Sequence, residues 1–137
     1  MVFKRNLSLK ILKKGFMSTF LIGSYMLLIH LSRDKKINVG KLGSIFFKKG
    51  MYLYVGSAMT SLCGRINYHH KKMKKPHWHI DYLLNEARIL GAFLFPSDRK
   101  IECLIASHLT EKFLYMPRFG SSDCRCKSHL FFHQSQI

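Results

Sequence analysis

Two tyrosines, an arginine, a histidine and a glutamate are spaced along this chain so that separate elements could bring them together. The triplets Gly23-Ser24-Tyr25 and Tyr54-Val55-Gly56 mark the ends of two predicted strands. Arg65 and His69 follow at i, i+4, one turn apart on any helix carrying both, and so on one face. Glu102 comes later, on another predicted helix. Phenols, a guanidinium, an imidazole and a carboxylate are the groups that phosphodiester hydrolysis assisted by one metal ion requires. Singly, each has a plainer reading. Tyrosine favours strands, Arg65 and His69 suit a solvated helix face, and Glu102 suits a helix first turn, where the dipole favours a carboxylate. Only the ordered set carries an argument.

For the set to meet, a sheet must hold helices against it. Residues 24–31 form a short apolar run that reads as a buried strand. Residues 32–35 make a turn, 36–39 a short strand, and Gly40 and Gly43 flank the turn before a strand over 44–47. Lys49-Gly50 then turns into a strand over 51–55. Such close spacing with glycine-marked turns predicts an antiparallel meander. Gly56-Ser57-Ala58 leaves the sheet, and Thr60 or Ser61 caps a helix over 62–73 that Pro76 ends. Leu62, Ile66 and Met73 face inward there, while Arg65, His69 and Lys72 share another face. A short helix over 79–85 turns Ile80, Leu83 and Leu84 inward, and a strand covers 87–95. Asp98 caps a helix to residue 113 with apolar face Ile101, Leu104, Ile105 and Leu109. A loop bearing glycine and cysteine then leads to the apolar segment Leu130-Phe131-Phe132. The predicted class is α+β, a small antiparallel sheet flanked by helices. It forms one domain over 20–137 behind a basic tail at 1–19.

The 137 residues are 47% hydrophobic, enough for one self-sufficient core. Lys and Arg number 23 against 7 acidic residues, a formal net charge of +16. A field of that sign draws polyanions, nucleic acid first and an anionic membrane surface as the rival. No acidic residue precedes Asp34, and none lies between Asp34 and Asp81. Residues 15–31 are nearly uncharged and follow Lys10, Lys13 and Lys14, but Gly15, Ser18, Thr19, Gly23 and Ser24 interrupt them. That stretch is at the short limit for spanning a bilayer and no small-residue cleavage site follows. It reads as the end of the tail followed by a buried strand, and no membrane is expected. Met17 is an alternative start that would leave the first sixteen residues untranslated. Of the cysteines Cys63, Cys103, Cys124 and Cys126, the last two are too close for an easy mutual bridge. A reduced, cytoplasmic setting follows.

At these residues the chain resembles the GIY-YIG nuclease superfamily, and within it a branch catalogued as a domain of unknown function. The resemblance covers residues 23–132. It rests on Gly-Ser-Tyr at 23–25, Tyr52-Leu-Tyr-Val-Gly-Ser-Ala58, Arg65 with His69, and His77-Trp-His-Ile-Asp-Tyr-Leu-Leu84. Glu102-Cys103 and Phe119-Gly-Ser-Ser-Asp-Cys-Arg-Cys-Lys-Ser-His-Leu130 complete it. It implies a GIY-YIG endonuclease-like fold, with Tyr25 and Tyr54 flanking the attacking water and one of them as general base. A free phenol titrates near a pKa of about 10, so cationic neighbours or a metal-bound water must help it lose its proton. The resemblance makes Arg65 the clamp on the scissile phosphate, a task that suits a planar bidentate donor. It has His69 share a proton with a tyrosine or contact the phosphate, and Glu102 hold one divalent ion, Mg²⁺ or Mn²⁺. Three departures stand out, one being that an asparagine common late in ordinary members has no counterpart here. Roughly thirty residues separate the triplets where ordinary members have a short hairpin, and Ser57 stands where many active relatives carry a lysine. Lys48 or Lys72 would substitute.

His77-Trp78-His79 could line a nucleic-acid groove, with Trp78 either stacking on a base or filling the core. Cys124 and Cys126 with His129 and His133 raise a zinc site, although a clamp of two cysteines one residue apart is unusual. Asp123 and Arg125 would otherwise order that loop beside the active site. The expected function is a metal-dependent nuclease-like domain that hydrolyses phosphodiester bonds in DNA, ahead of RNA, in repair or recombination. The alternative is a non-catalytic nucleic-acid-binding module that keeps the nuclease fold.

Overall fold

Period-two alternation decides how the central strand sits. In β1 (Gly23–Leu31) Tyr25, Leu27, Ile29 and Leu31 are buried on one face, while Met26, Leu28 and His30 are half-buried on the other. Both faces are apolar because helices cover both. The structure, a computed structural model, describes residues 21–133; the basic tail expected over 1–19, with Met17, lies outside the described residues.

After β1 come β2 (Lys35–Asn38), a 3₁₀ turn (Gly40–Leu42), β3 (Ser44–Phe47) and β4 (Gly50–Ala58). Then follow α1 (Leu62–His70), α2 (His79–Leu84), β5 (Arg88–Pro96), α3 (Glu102–Lys112), β6 (Leu114–Tyr115) and β7 (Leu130–Phe132). The class is α+β, as expected: an antiparallel sheet ordered β5-β1-β4-β7-β6 with helices on it. Below it, Tyr25, Leu27, Tyr52 and Tyr54 pack with Leu62, Ile80, Leu83 and Phe119. Above it, Val55 and Phe131 pack with Ala106, Ile105 and Leu109 of α3. Adjacent residues of one strand therefore serve different cores.

The expected meander is not what forms. β1 pairs directly with β4 over nine positions, from Gly23↔Ala58 to Leu31↔Gly50, and among the described residues β2 and β3 pair only with each other. The long strands complete a full ladder, whereas the four-residue strands contribute Ile37 and Phe47 to the lower core as an inserted hairpin. The same ladder carries β4 through Gly56-Ser57-Ala58, which stay in the sheet rather than leaving it. At its start, Gly23 has φ +144°, and a Cβ there would lie 2.3 Å from the Phe95 carbonyl oxygen. Only glycine lets β1 begin so close to β5.

Three helix expectations are corrected. α1 ends at His70 instead of residue 73, and Lys74 Nζ donates to the His69 and Lys71 carbonyls at that end (3.3 and 2.9 Å). Met73, at φ +57°, then points out and is 87% exposed. α3 starts at Glu102 without Asp98 as its cap; the Ile101 N–H donates instead to Ser24 Oγ (3.1 Å). Leu104 is exposed and Ala106 takes the buried place on that helix. Ser61 caps α1 as read, accepting from the Gly64 N–H. The apolar end at 130–132 is a strand, paired with a β6 that the residues alone did not reveal. Among the described residues no helix is long and apolar enough to cross a membrane.

Candidate active site

Tyr25 and Gly56 are directly opposed on β1 and β4, and the missing side chain of Gly56 is the space that the Tyr25 ring fills. From there the Tyr25 hydroxyl reaches His69 Nε2 at 2.7 Å. His69 is buried in α1, flanked by the rings of Tyr25, Tyr54, Tyr68 and Trp78. Burial drives the imidazole down to about 4, with Asp81 pulling the other way, so the ring is neutral near pH 7. Burial also pushes the Tyr25 phenol far above its ordinary value, against the opposing pull of Arg65. Tyr54 is raised well above its ordinary value for the same first reason. Neither phenol sheds its proton to solvent unaided. The neutral imidazole beside Tyr25 is the group that can exchange a proton with it.

Arg65 is one turn before His69 on α1. Its Nη1 donates to the Ser57 carbonyl (2.8 Å), and its guanidinium carbon lies 4.5 Å from the centre of the Trp78 ring. A stacked, tethered guanidinium loses little further freedom when it grips an anion. Trp78 thus packs against the core and also lines the cavity. It is fixed by Asp81, whose buried Oδ2 accepts from the N–H groups of His77 and Trp78 (2.8 and 2.9 Å) and from the Tyr68 hydroxyl (3.0 Å). Asp81 is a residue to which sequence reasoning gave no role. Its position near the start of an apolar helix was the available signal.

Glu102 opens α3. That helix is hung from β1 through Ser24, which also pairs with Ser57 Oγ (2.9 Å). Tyr25, Tyr54, Arg65 and Glu102 all line one cavity of about 520 Å³. His69 does not line it and stands behind Tyr25, so of its two expected roles the geometry permits proton sharing with the tyrosine. The Tyr25 and Tyr54 rings are 6.5 Å apart. Lys100, Ser57 and Asp123 also line it, giving the cavity two cations and a second carboxylate besides Glu102.

The other expected contacts divide. His79 lines the cavity, its Nδ1 accepting from the Gly120 N–H (2.8 Å), and burial lowers its pKa. Lys72 instead donates to the carbonyls of Leu84 and Ala87 near the end of α2. Lys48 is exposed on the β3–β4 turn and His77 lies against Trp78, neither lining the cavity. Among the described residues, Lys100 is the lysine on the wall.

Cys103, Cys124, Cys126 and His129 gather beside Glu102, their ligand atoms all within 4.8 Å of one another, and could hold a metal ion. This corrects the expected set. His133 is exposed past β7, its ring against Phe113, and Cys103 from α3 takes its place. Spacing could not show this, because the fourth donor comes from a helix some twenty residues earlier.

No curated protein and no solved structure matches the chain. Over residues 24–137 it matches the family described as a domain of unknown function, DUF123, and it belongs to that family.

Proposed function

We propose that the chain is a GIY-YIG-like endonuclease domain that hydrolyses phosphodiester bonds in DNA with one divalent metal ion. The observation that carries this is the convergence of Tyr25, Tyr54, Arg65 and Glu102, from four different elements, on one cavity. The net charge of +16 supports a polyanionic substrate, and DNA comes before RNA by analogy with the superfamily. Four free cysteines suit a reducing, cytoplasmic setting.

In this reading Arg65 grips the scissile phosphate and stabilises charge that grows on its oxygens. A water held between the two phenols is deprotonated as Tyr25 passes its own proton to His69 Nε2, 2.7 Å away, a transfer that burial of the imidazole opposes and Asp81 assists. Glu102, with Asp123 on the same wall, offers the hard oxygen donors that suit Mg²⁺ or Mn²⁺. When bound, such an ion offsets phosphate charge and lowers the pKa of its waters.

Nicking of supercoiled plasmid with Mn²⁺ tests the reading. The wild type cuts, whereas Glu102→Gln and Arg65→Ala do not; equal behaviour of all three ends it. The rival, a binding module without catalysis, draws support from Ser57 after Gly56 and from Lys72 being engaged elsewhere. It predicts no cutting by any form, with binding that weakens steeply in salt as counterions are released.

A further inference from the structure

We infer that Cys103, Cys124, Cys126 and His129 form a structural zinc site that clamps the 117–129 loop to the first turn of α3 and to β4. Their positions, not merely their types, carry this. Bonds of about 2.3 Å to sulfur and about 2.0 Å to nitrogen set tetrahedral ligand atoms roughly 3.5–3.8 Å apart. His129 Nε2 lies 3.5 Å from Cys124 Sγ and 3.9 Å from Cys103 Sγ, and no pair in the group exceeds 4.8 Å.

His129 is already oriented as a ligand. A carbonyl can only accept, so the 3.1 Å contact of His129 Nδ1 with the Val55 carbonyl puts the ring hydrogen on Nδ1. That leaves the Nε2 lone pair facing the sulfurs, the arrangement found where a backbone carbonyl fixes a metal-bound imidazole. The backbone reinforces it: the Val55 N–H donates to the His129 carbonyl (3.0 Å) and the His129 N–H to that of Phe119 (2.8 Å).

Three thiolates and one imidazole are a closed set for zinc, with no open position, which separates this site from the hydrolytic one. Binding releases three thiol protons to solvent as three Zn–S bonds form. Because Cys103 follows Glu102 and both Cys124 and His129 line the cavity, the clamp would hold the cavity wall in place.

The test uses the full chain purified under reducing conditions with zinc present. About one zinc per chain is expected by elemental analysis. After exchange with Co²⁺, the absorption spectrum should show tetrahedral d–d bands and charge transfer from three thiolates. Cys103→Ser should weaken zinc binding by more than about 100-fold, while His133→Ala and Glu102→Gln keep it. No zinc uptake by the wild type, an octahedral Co²⁺ spectrum, or undiminished affinity in Cys103→Ser would each overturn the assignment. If Cys103→Ser fails to fold, the wild-type Co²⁺ spectrum still decides the question. None of these readouts depends on DNA cleavage, so the zinc and nuclease proposals fail separately.

Discussion

Replacing Gly56 by alanine places a methyl group where the Tyr25 ring already lies. The added Cβ would be 2.4 Å from the Tyr25 hydroxyl oxygen and 2.6 Å from Cζ. Ordinary contact begins near 3.4 Å, so the ring must retreat by about 1 Å. Any retreat disturbs its neighbours: Tyr25 is 1% exposed and lies between Tyr54 and His69. Overpacking of this kind costs about 1–3 kcal/mol. Pulling the hydroxyl from His69 Nε2 strands two buried polar atoms and adds about 1–3 kcal/mol. The sum, about 2–6 kcal/mol, lowers Tm by roughly 6–30 °C in a domain of this size, at about 3–5 °C per kcal/mol. Urea unfolding followed by Trp78, the sole tryptophan, measures the loss. Gly91→Ala is the control, since a Cβ on that β5 glycine meets nothing within 4 Å. In a Tyr25→Ala background the Gly56→Ala cost should fall below about 1 kcal/mol, as coupling between neighbours requires. Equal costs for Gly56→Ala and Gly91→Ala, or an unchanged cost in that background, would refute the close approach and with it the Tyr25–His69 geometry.

Stability should fall as pH drops from about 6.5 to 4. His69 titrates near 6.5 when unfolded and near 4 when folded, so across that window the unfolded chain binds more protons. The loss amounts to about 3 kcal/mol, and His69→Gln should flatten the wild-type slope by that much in urea unfolding at each pH; parallel slopes would exclude a buried neutral imidazole. Asp81→Ala removes the acceptor of three hydrogen bonds and should cost about 2–4 kcal/mol in the same assay, with a change in Trp78 emission. Ser24→Ala, which frees Ile101 and the start of α3, should cost about 1–2 kcal/mol. It should also reduce plasmid nicking, although Ser24 does not itself line the cavity; full nicking activity would show that Ser24 does not position Glu102.

What the sequence determined by itself was local. The apolar run of β1, the bounds of β3, the Ser61 cap and the inward Ile80, Leu83 and Leu84 of α2 follow from alternation, turn residues and helix period, which act within a few neighbours. The triplets, with Arg65, His69 and Glu102, were legible as a set because each stands in a recognisable local context. Where an element ends was less legible, because partners far away decide it. β1 carries β4 on to Ala58, and Ser24 rather than Asp98 holds the start of α3. Only the tertiary structure set His69 behind Tyr25 instead of in the cavity, turned Lys72 to the end of α2, and gave Asp81 the task of fixing Trp78. It alone exchanged His133 for Cys103. The Tyr25–His69 and Cys103–His129 contacts join residues tens of positions apart, and their geometry depends on how the sheet sets α1 and α2 on one face and α3 on the other, a relation that no spacing along the chain encodes.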